Sequence, residues 1–91
     1  LQGISVEVMD FETAAMKVKT LKVSPSNDEL LELYGLYKQA TVGDNISTKP
    51  WLDLKGRAKW DAWESRKNMT MEEAKKLYVQ IVNKLIEKYG I

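Results

Sequence analysis

The sequence predicts an all-α protein, a four-helix bundle, from three observations. Apolar residues recur at helical spacing in four separate segments. Two of those segments open on a Ser or Thr with Glu three residues later, a reciprocal capping pattern. No alternating apolar–polar run is long enough for a strand. At 91 residues the chain is expected to form one domain over 1–91.

The first helix is expected over about 9–22. Phe11, Ala14, Ala15, Val18 and Leu21 fall on one stripe at helical period. Asp10 is a candidate cap, with Ser5 an earlier one, and residues 1–8 are read as a tag or linker remnant or the edge of a longer chain. Pro25 in "VSPS" disfavours helix at Ser24 and breaks the segment. The second helix, about 26–42, starts at Ser26, with Glu29 completing a capping box in "SNDE". Asp28 and Glu29 suit the positive helix N-terminus, and Leu30, Leu33, Tyr34 and Tyr37 continue at helical spacing. Gly43 is the residue that ends it.

The connection "GDNISTKPWLDL" exceeds the roughly 2–8 residues usual between bundle helices. It carries Ile46, Trp51, Leu52 and Leu54, so it is expected to pack against the bundle. A long crossover also lets the second and third helices lie nearly parallel. The third helix is expected over about 53–67, capped by Asp53, with Ala58, Trp60, Ala62 and Trp63 as its buried content. The fourth, about 70–89, opens on the Thr70–Glu73 capping box. Its broad stripe of Ala74, Leu77, Tyr78, Ile81, Val82, Leu85 and Ile86 is the strongest helix signal in the chain.

Composition narrows the function. There is no Cys, hence no disulfide and no thiolate ligand, and no His, the usual general base and commonest zinc ligand. Ser–His–Asp and Cys–His machinery is excluded, so no catalytic residue and no metal site is expected. The net charge of +1 gives no reason to expect a nucleic-acid partner. No apolar run approaches the roughly 20 residues of a membrane helix, and no signal-peptide pattern is present. A cytoplasmic monomer without stable membrane insertion is the expectation.

One constellation carries chemistry. Tyr34 and Lys38 are i, i+4 neighbours, and Tyr37 lies one turn from Tyr34. An aromatic face with an ammonium and a phenol beside it suits a nucleotide: a base stacks for roughly 1–3 kcal/mol, and a phosphate takes the charged donors. The plainer reading makes the tyrosines amphipathic packing residues and Lys38 a surface charge. Lys55 and Lys59 are also i, i+4, like charges that repel mildly unless they face an anion. Solvation beside Asp61 and Glu64 is the plainer account of that pair.

The blocks "FETAAMKVKTL", "PSNDELLELYGLYKQATVGD", "KPWLDLKGRAKWDAW" and "LYVQIVNKLIEKYGI" resemble the acyl-CoA-binding protein family, also called diazepam-binding inhibitor, over about residues 10–91. That resemblance implies an up-down-down-up four-helix bundle holding one medium- to long-chain fatty acyl-CoA, with no other cofactor. It implies that Tyr34, Tyr37 and Lys38 meet the adenine and 3′-phosphate. It makes Lys59 a phosphate partner, sets Lys55 in the groove nearby, brings Lys19 from the opposite side, and adds the ring and hydroxyl of Tyr78. Ala15, Leu30, Leu31, Leu54 and Ala58 would face the acyl chain. The implied function is a non-catalytic intracellular carrier with transient contacts to acyl-CoA-using enzymes.

The chain departs from the family pattern twice. Ser24 stands where a basic residue is common before the proline, and the connection reads Pro50-Trp51-Leu52, one residue shorter than the usual Pro-Gly-hydrophobic pattern. Two other readings stand beside the carrier: the same binding domain as a module of a larger protein, and a helical interaction module whose groove receives a partner helix.

Overall fold

A computed structural model describes residues 9–91, so the Ser5 cap and the reading of residues 1–8 lie outside the described residues. Four α-helices follow one another: α1 Phe11–Lys17, α2 Asn27–Thr41, α3 Leu54–Glu64 and α4 Met71–Tyr89. The described residues contain no strand.

The helix starts follow local chemistry. Asp10 Oδ1 accepts the Thr13 N–H at 2.8 Å. Both capping boxes close: Ser26 Oγ accepts from Glu29 N at 3.2 Å while Glu29 Oε1 accepts from Ser26 N at 2.8 Å. Thr70 and Glu73 make the same exchange at 3.0 Å each way. Asp53 occupies the N-cap of α3, but its side chain makes no capping hydrogen bond. Gly43 takes φ 100° just beyond α2, a left-handed value that glycine adopts without strain.

Two helix ends differ from expectation. α1 stops at Lys17, and one 3-10 turn, Val18–Thr20, replaces the helix expected to run to about 22. The Thr20 hydroxyl donates to the Lys17 carbonyl at 2.7 Å, offering that acceptor a partner outside the α ladder. α3 stops at Glu64 rather than near 67. There the Ser65 hydroxyl donates to the Ala62 carbonyl at 2.7 Å, and Asn68 at φ 76° turns the chain into α4.

Cross-helix partners give the directions. From α2 to α3 the numbers rise together: Tyr34 meets Lys59, Gly35 meets Ala62 and Lys38 meets Trp63, so these helices run parallel. From α2 to α4 they run oppositely, with Glu29 at Lys88, Tyr37 at Tyr78 and Gly43 at Met71. α1 runs with α4, as Phe11 meets Tyr78 and the Lys22 N–H donates to the Gly90 carbonyl at 2.8 Å. The bundle is therefore up-down-down-up.

The core belongs to three of the four helices. Phe11 and Ala14 of α1, Leu33, Leu36 and Ala40 of α2, and Ala74, Tyr78, Val82 and Leu85 of α4 are buried together. α3 packs on α2 alone among the helices, and none of its residues is fully buried. Ala58, Trp60, Ala62 and Trp63, expected to be its buried content, are half-buried.

The connection between α2 and α3 also corrects the expectation. Ile46, Trp51, Leu52 and Leu54 do not pack: they are 94%, 79%, 75% and 81% exposed. Polar bonds from α3 hold the segment instead. Trp63 Nε1 donates to the Gly43 carbonyl at 2.8 Å, Trp60 Nε1 to Ser47 at 3.0 Å, and Arg57 Nη1 to Pro50 at 3.2 Å. Lys49 pairs with Asp61 at 2.9 Å. Backbone carbonyls that demand donors find them in indole N–H groups, so the loop is held without burying its own apolar side chains.

Candidate ligand-binding site

Two cavities meet along α2. The first, about 600 Å³, lies between α2 and the α1 segment, with Tyr78 of α4 in its wall. Of the residues singled out in the sequence it brings together Ala15, Lys19, Leu30, Tyr34, Tyr37 and Tyr78. The second, about 410 Å³, lies between the N-terminal halves of α2 and α3 and gathers Leu30, Leu31, Tyr34, Leu54, Lys55, Ala58 and Lys59. Leu30 and Tyr34 line both, so the cavities are adjoining halves of one bowl. Parallel packing of α2 and α3 allows this, since it sets both N-terminal turns at the same end.

Lys38 is the exception. It lines neither cavity, and its ammonium lies 4.9 Å from the Trp63 ring centroid, a cation–π contact on the α3 side of α2. Lys38 faces α3 because it sits one turn beyond Tyr34, whose ring has Lys59 Nζ 5.5 Å from its centroid.

Tyr37 is 41% exposed, yet its position is set from below. The Phe11 ring stacks against it at 5.6 Å and 29°, and meets Tyr78 edge-on at 5.0 Å. Tyr37 and Tyr78 are tilted across 6.0 Å. Such aromatic pairs add about 0.5–1.5 kcal/mol beyond the area they bury, so Tyr37 is presented in a chosen orientation. Burial first, and the Tyr37 phenol second, push the Tyr78 hydroxyl above its ordinary pKa. It stays a neutral hydrogen-bond donor at physiological pH.

The charge in the bowl has one sign. Lys19, Lys55 and Lys59 line its walls, and among the described residues no carboxylate does. The remaining lining is largely aliphatic and aromatic. A wall of this kind favours a molecule with an anionic, aromatic head and an apolar tail.

Sequence reasoning missed part of the lining. Phe11 registered only as a core residue of the α1 stripe, although its stacking sets Tyr37. Leu21, Val23 and Pro25 wall the first cavity. Around Pro25 only the helix break was legible, because a non-helical segment has no period to mark which way its apolar residues face. Among the described residues no group of three or more Cys, His, Asp or Glu is placed to hold a metal ion. No helix among them is long and apolar enough to cross a membrane.

The family model for acyl-CoA-binding protein matches residues 9–82. The chain belongs to the acyl-CoA-binding protein family. Acyl-CoA-binding protein homolog 1 of Caenorhabditis elegans is 58% identical over 83 residues, 90% of this chain and 96% of that one. The acyl-CoA-binding protein of Saccharomyces cerevisiae is 54% identical over 81 residues, 88% of this chain and 93% of its own. Among solved structures, Oryza sativa acyl-CoA-binding protein 2 superposes with a TM-score of 0.81 at 47% identity, covering 86% of this chain and 88% of its own. The acyl-coenzyme-A-binding protein from yeast, solved in solution, gives 0.71 at 52% identity over 89% and 95%. The four-helix frame of this chain is thus the acyl-CoA-binding protein frame, with the bowl between α1, α2 and α3.

Proposed function

We propose that this chain binds medium- to long-chain fatty acyl-CoA esters reversibly and carries them, without catalysing a reaction on them. One observation carries the reading: a bowl with three lysines, three tyrosine rings and, among the described residues, no carboxylate, continuous with an apolar groove between α2 and α3. CoA has a purine, a 3′-phosphate and a pyrophosphate, so it calls for stacking and several cations. In this reading the purine lies against Tyr34 and Tyr37, and Tyr78 offers its hydroxyl. Lys19, Lys55 and Lys59 hold the phosphates, and Lys38 swings from Trp63 to join them. The tail runs past Leu30, Leu31, Leu54 and Ala58, with Ala15 on the far wall.

Burying a methylene stabilises by about 0.8 kcal/mol, so a sixteen-carbon tail contributes at most roughly 12 kcal/mol. Tail length then dominates affinity differences among acyl-CoAs, while the nucleotide site sets orientation. The proposal extends to a cytoplasmic monomer that hands its ligand to acyl-CoA-using enzymes. The deciding experiment is calorimetric titration with palmitoyl-CoA and with free CoA. Tight binding of the first and much weaker binding of the second is the expected result. No heat from palmitoyl-CoA, with the protein folded, overturns the reading.

A further inference from the structure

The first cavity is walled on one side by a segment with no helix of its own. Leu21, Val23, Ser24 and Pro25 line it, between the 3-10 turn and α2. Among the described residues, the stretch 22–25 makes one backbone–backbone hydrogen bond, from the Lys22 N–H to the Gly90 carbonyl at 2.8 Å. The far end of the segment is fastened too. Glu29 Oε1 accepts the Ser26 N–H at 2.8 Å and the Tyr89 hydroxyl at 2.7 Å, while Lys88 Nζ donates to Glu29 Oε2 at 2.9 Å. Residues 88–90 thus hold the segment at both ends, although none of the three lines either cavity. Gly90 is itself tied to α4, its N–H donating to the Ile86 carbonyl at 2.8 Å. It sits at φ 79° and ψ 163°, a backbone region essentially closed to residues with a side chain. Only glycine aims that carbonyl at Lys22 without strain.

We infer that Lys88, Tyr89 and Gly90 form a positioning clasp for the first cavity: they touch no ligand themselves, and they fix the wall of residues 21–25 at the separation from Tyr34 and Tyr37 that the nucleotide needs. The inference rests on the acyl-CoA reading, in which the purine lies against those two tyrosines. An irregular segment without these bonds samples many backbone states. A ligand that fits one of them must order the segment as it binds, and its affinity falls accordingly. The clasp does that ordering before the ligand arrives. The coupling runs both ways, so a nucleotide seated against the wall stabilises the clasp by the same factor.

The test is titration calorimetry of the parent, Gly90→Ala and Tyr89→Phe with octanoyl-CoA, dodecanoyl-CoA and palmitoyl-CoA. Gly90→Ala forces the backbone out of its glycine-only region, and Tyr89→Phe removes one hydroxyl while leaving the ring. The expected result is binding weakened about fivefold in Gly90→Ala and less in Tyr89→Phe. Each variant should lose the same factor with all three ligands, because the wall meets the nucleotide they share. A lower melting temperature with unchanged affinities would make the role merely structural and overturns the inference. A loss that grows with tail length also overturns it, by placing the effect in the groove between α2 and α3. Hydrogen exchange supplies a second readout: the Lys22 amide should exchange faster in Gly90→Ala, and palmitoyl-CoA should slow it in the parent. A Lys22 amide indifferent to both overturns the clasp. If Gly90→Ala does not fold, Tyr89→Phe decides by the same criteria. A parent that binds no acyl-CoA overturns the acyl-CoA reading itself, whereas a parent that binds with both variants equal to it overturns the clasp alone.

Discussion

Gly35 of α2 lies so close to the Ala62 carbonyl of α3 that a Cβ built on it would stand 2.8 Å from the carbonyl carbon. The opposing atoms are backbone, which cannot rotate away. Gly35 is buried within α2, where alanine would otherwise be the better helix former by up to about 1 kcal/mol. Its absent side chain sets the spacing of the two helices that form the groove. Gly35→Ala must push α3 outward, and overpacking of this kind costs roughly 1–3 kcal/mol, enough to outweigh the propensity gain. We expect a lower melting temperature and weaker palmitoyl-CoA binding. Unchanged or raised stability would mean that α2 and α3 separate freely.

Tyr37→Ala and Lys59→Ala are each expected to weaken palmitoyl-CoA binding by roughly 1–3 kcal/mol, from lost stacking and lost charge-assisted bonds respectively. Lys38→Ala should weaken it similarly, and also lower the stability of the ligand-free protein slightly, by about 0.5–1 kcal/mol for a part-exposed cation–π contact. Titration calorimetry paired with urea denaturation separates the two effects. Binding as tight as the parent in all three variants would remove the nucleotide from this face.

The α3 amides should exchange faster than those of α2 and α4, because α3 packs on one helix and adds nothing to the buried core. Palmitoyl-CoA lying between α2 and α3 should slow that exchange. Hydrogen exchange of residues 54–64 with and without ligand is the measurement, and protection confined to α1 and α4 would place the tail elsewhere.

Glu29 couples the chain's end to α2. Lys88 Nζ donates to it at 2.9 Å and the Tyr89 hydroxyl at 2.7 Å. Those bonds, the Lys88 one foremost, and the Ser26 N–H lower its pKa to about 2. An unfolded glutamate titrates near 4.3, so the carboxylate adds stability above roughly that pH, and the addition is lost as pH falls toward 2. Lys88 is raised by the same pair, so its share is present below its unfolded pKa and lost as pH rises through the folded value. Urea denaturation between pH 7 and pH 2 should show Glu29→Gln less stable than the parent at neutral pH, with the gap closing as acid is added. A gap independent of pH would argue against the ionised clasp.

Much of the frame was legible from residues a few positions apart. Ser26 with Glu29, and Thr70 with Glu73, form bonds that depend only on spacing, so both capping boxes appear where they were read. The α4 stripe and the stop at Gly43 are equally local. Of the twelve side chains singled out for the bowl, all but Lys38 line it. The ends of α1 and α3 were less legible, because single hydroxyls at Thr20 and Ser65 tip the balance between α and tighter turns.

By itself the sequence determined which segments are helical, where two of them start, and which residue types are present for chemistry. Short-range hydrogen bonds and helical periodicity carry that information along the chain. Only the tertiary structure decided that Phe11 holds Tyr37, that Lys38 rests on Trp63, and that Trp51 and Leu52 face outward rather than inward. Those outcomes turn on atoms tens of residues apart, where Trp60 and Trp63 bind the connection through their indole N–H groups and leave its apolar side chains nothing to pack against.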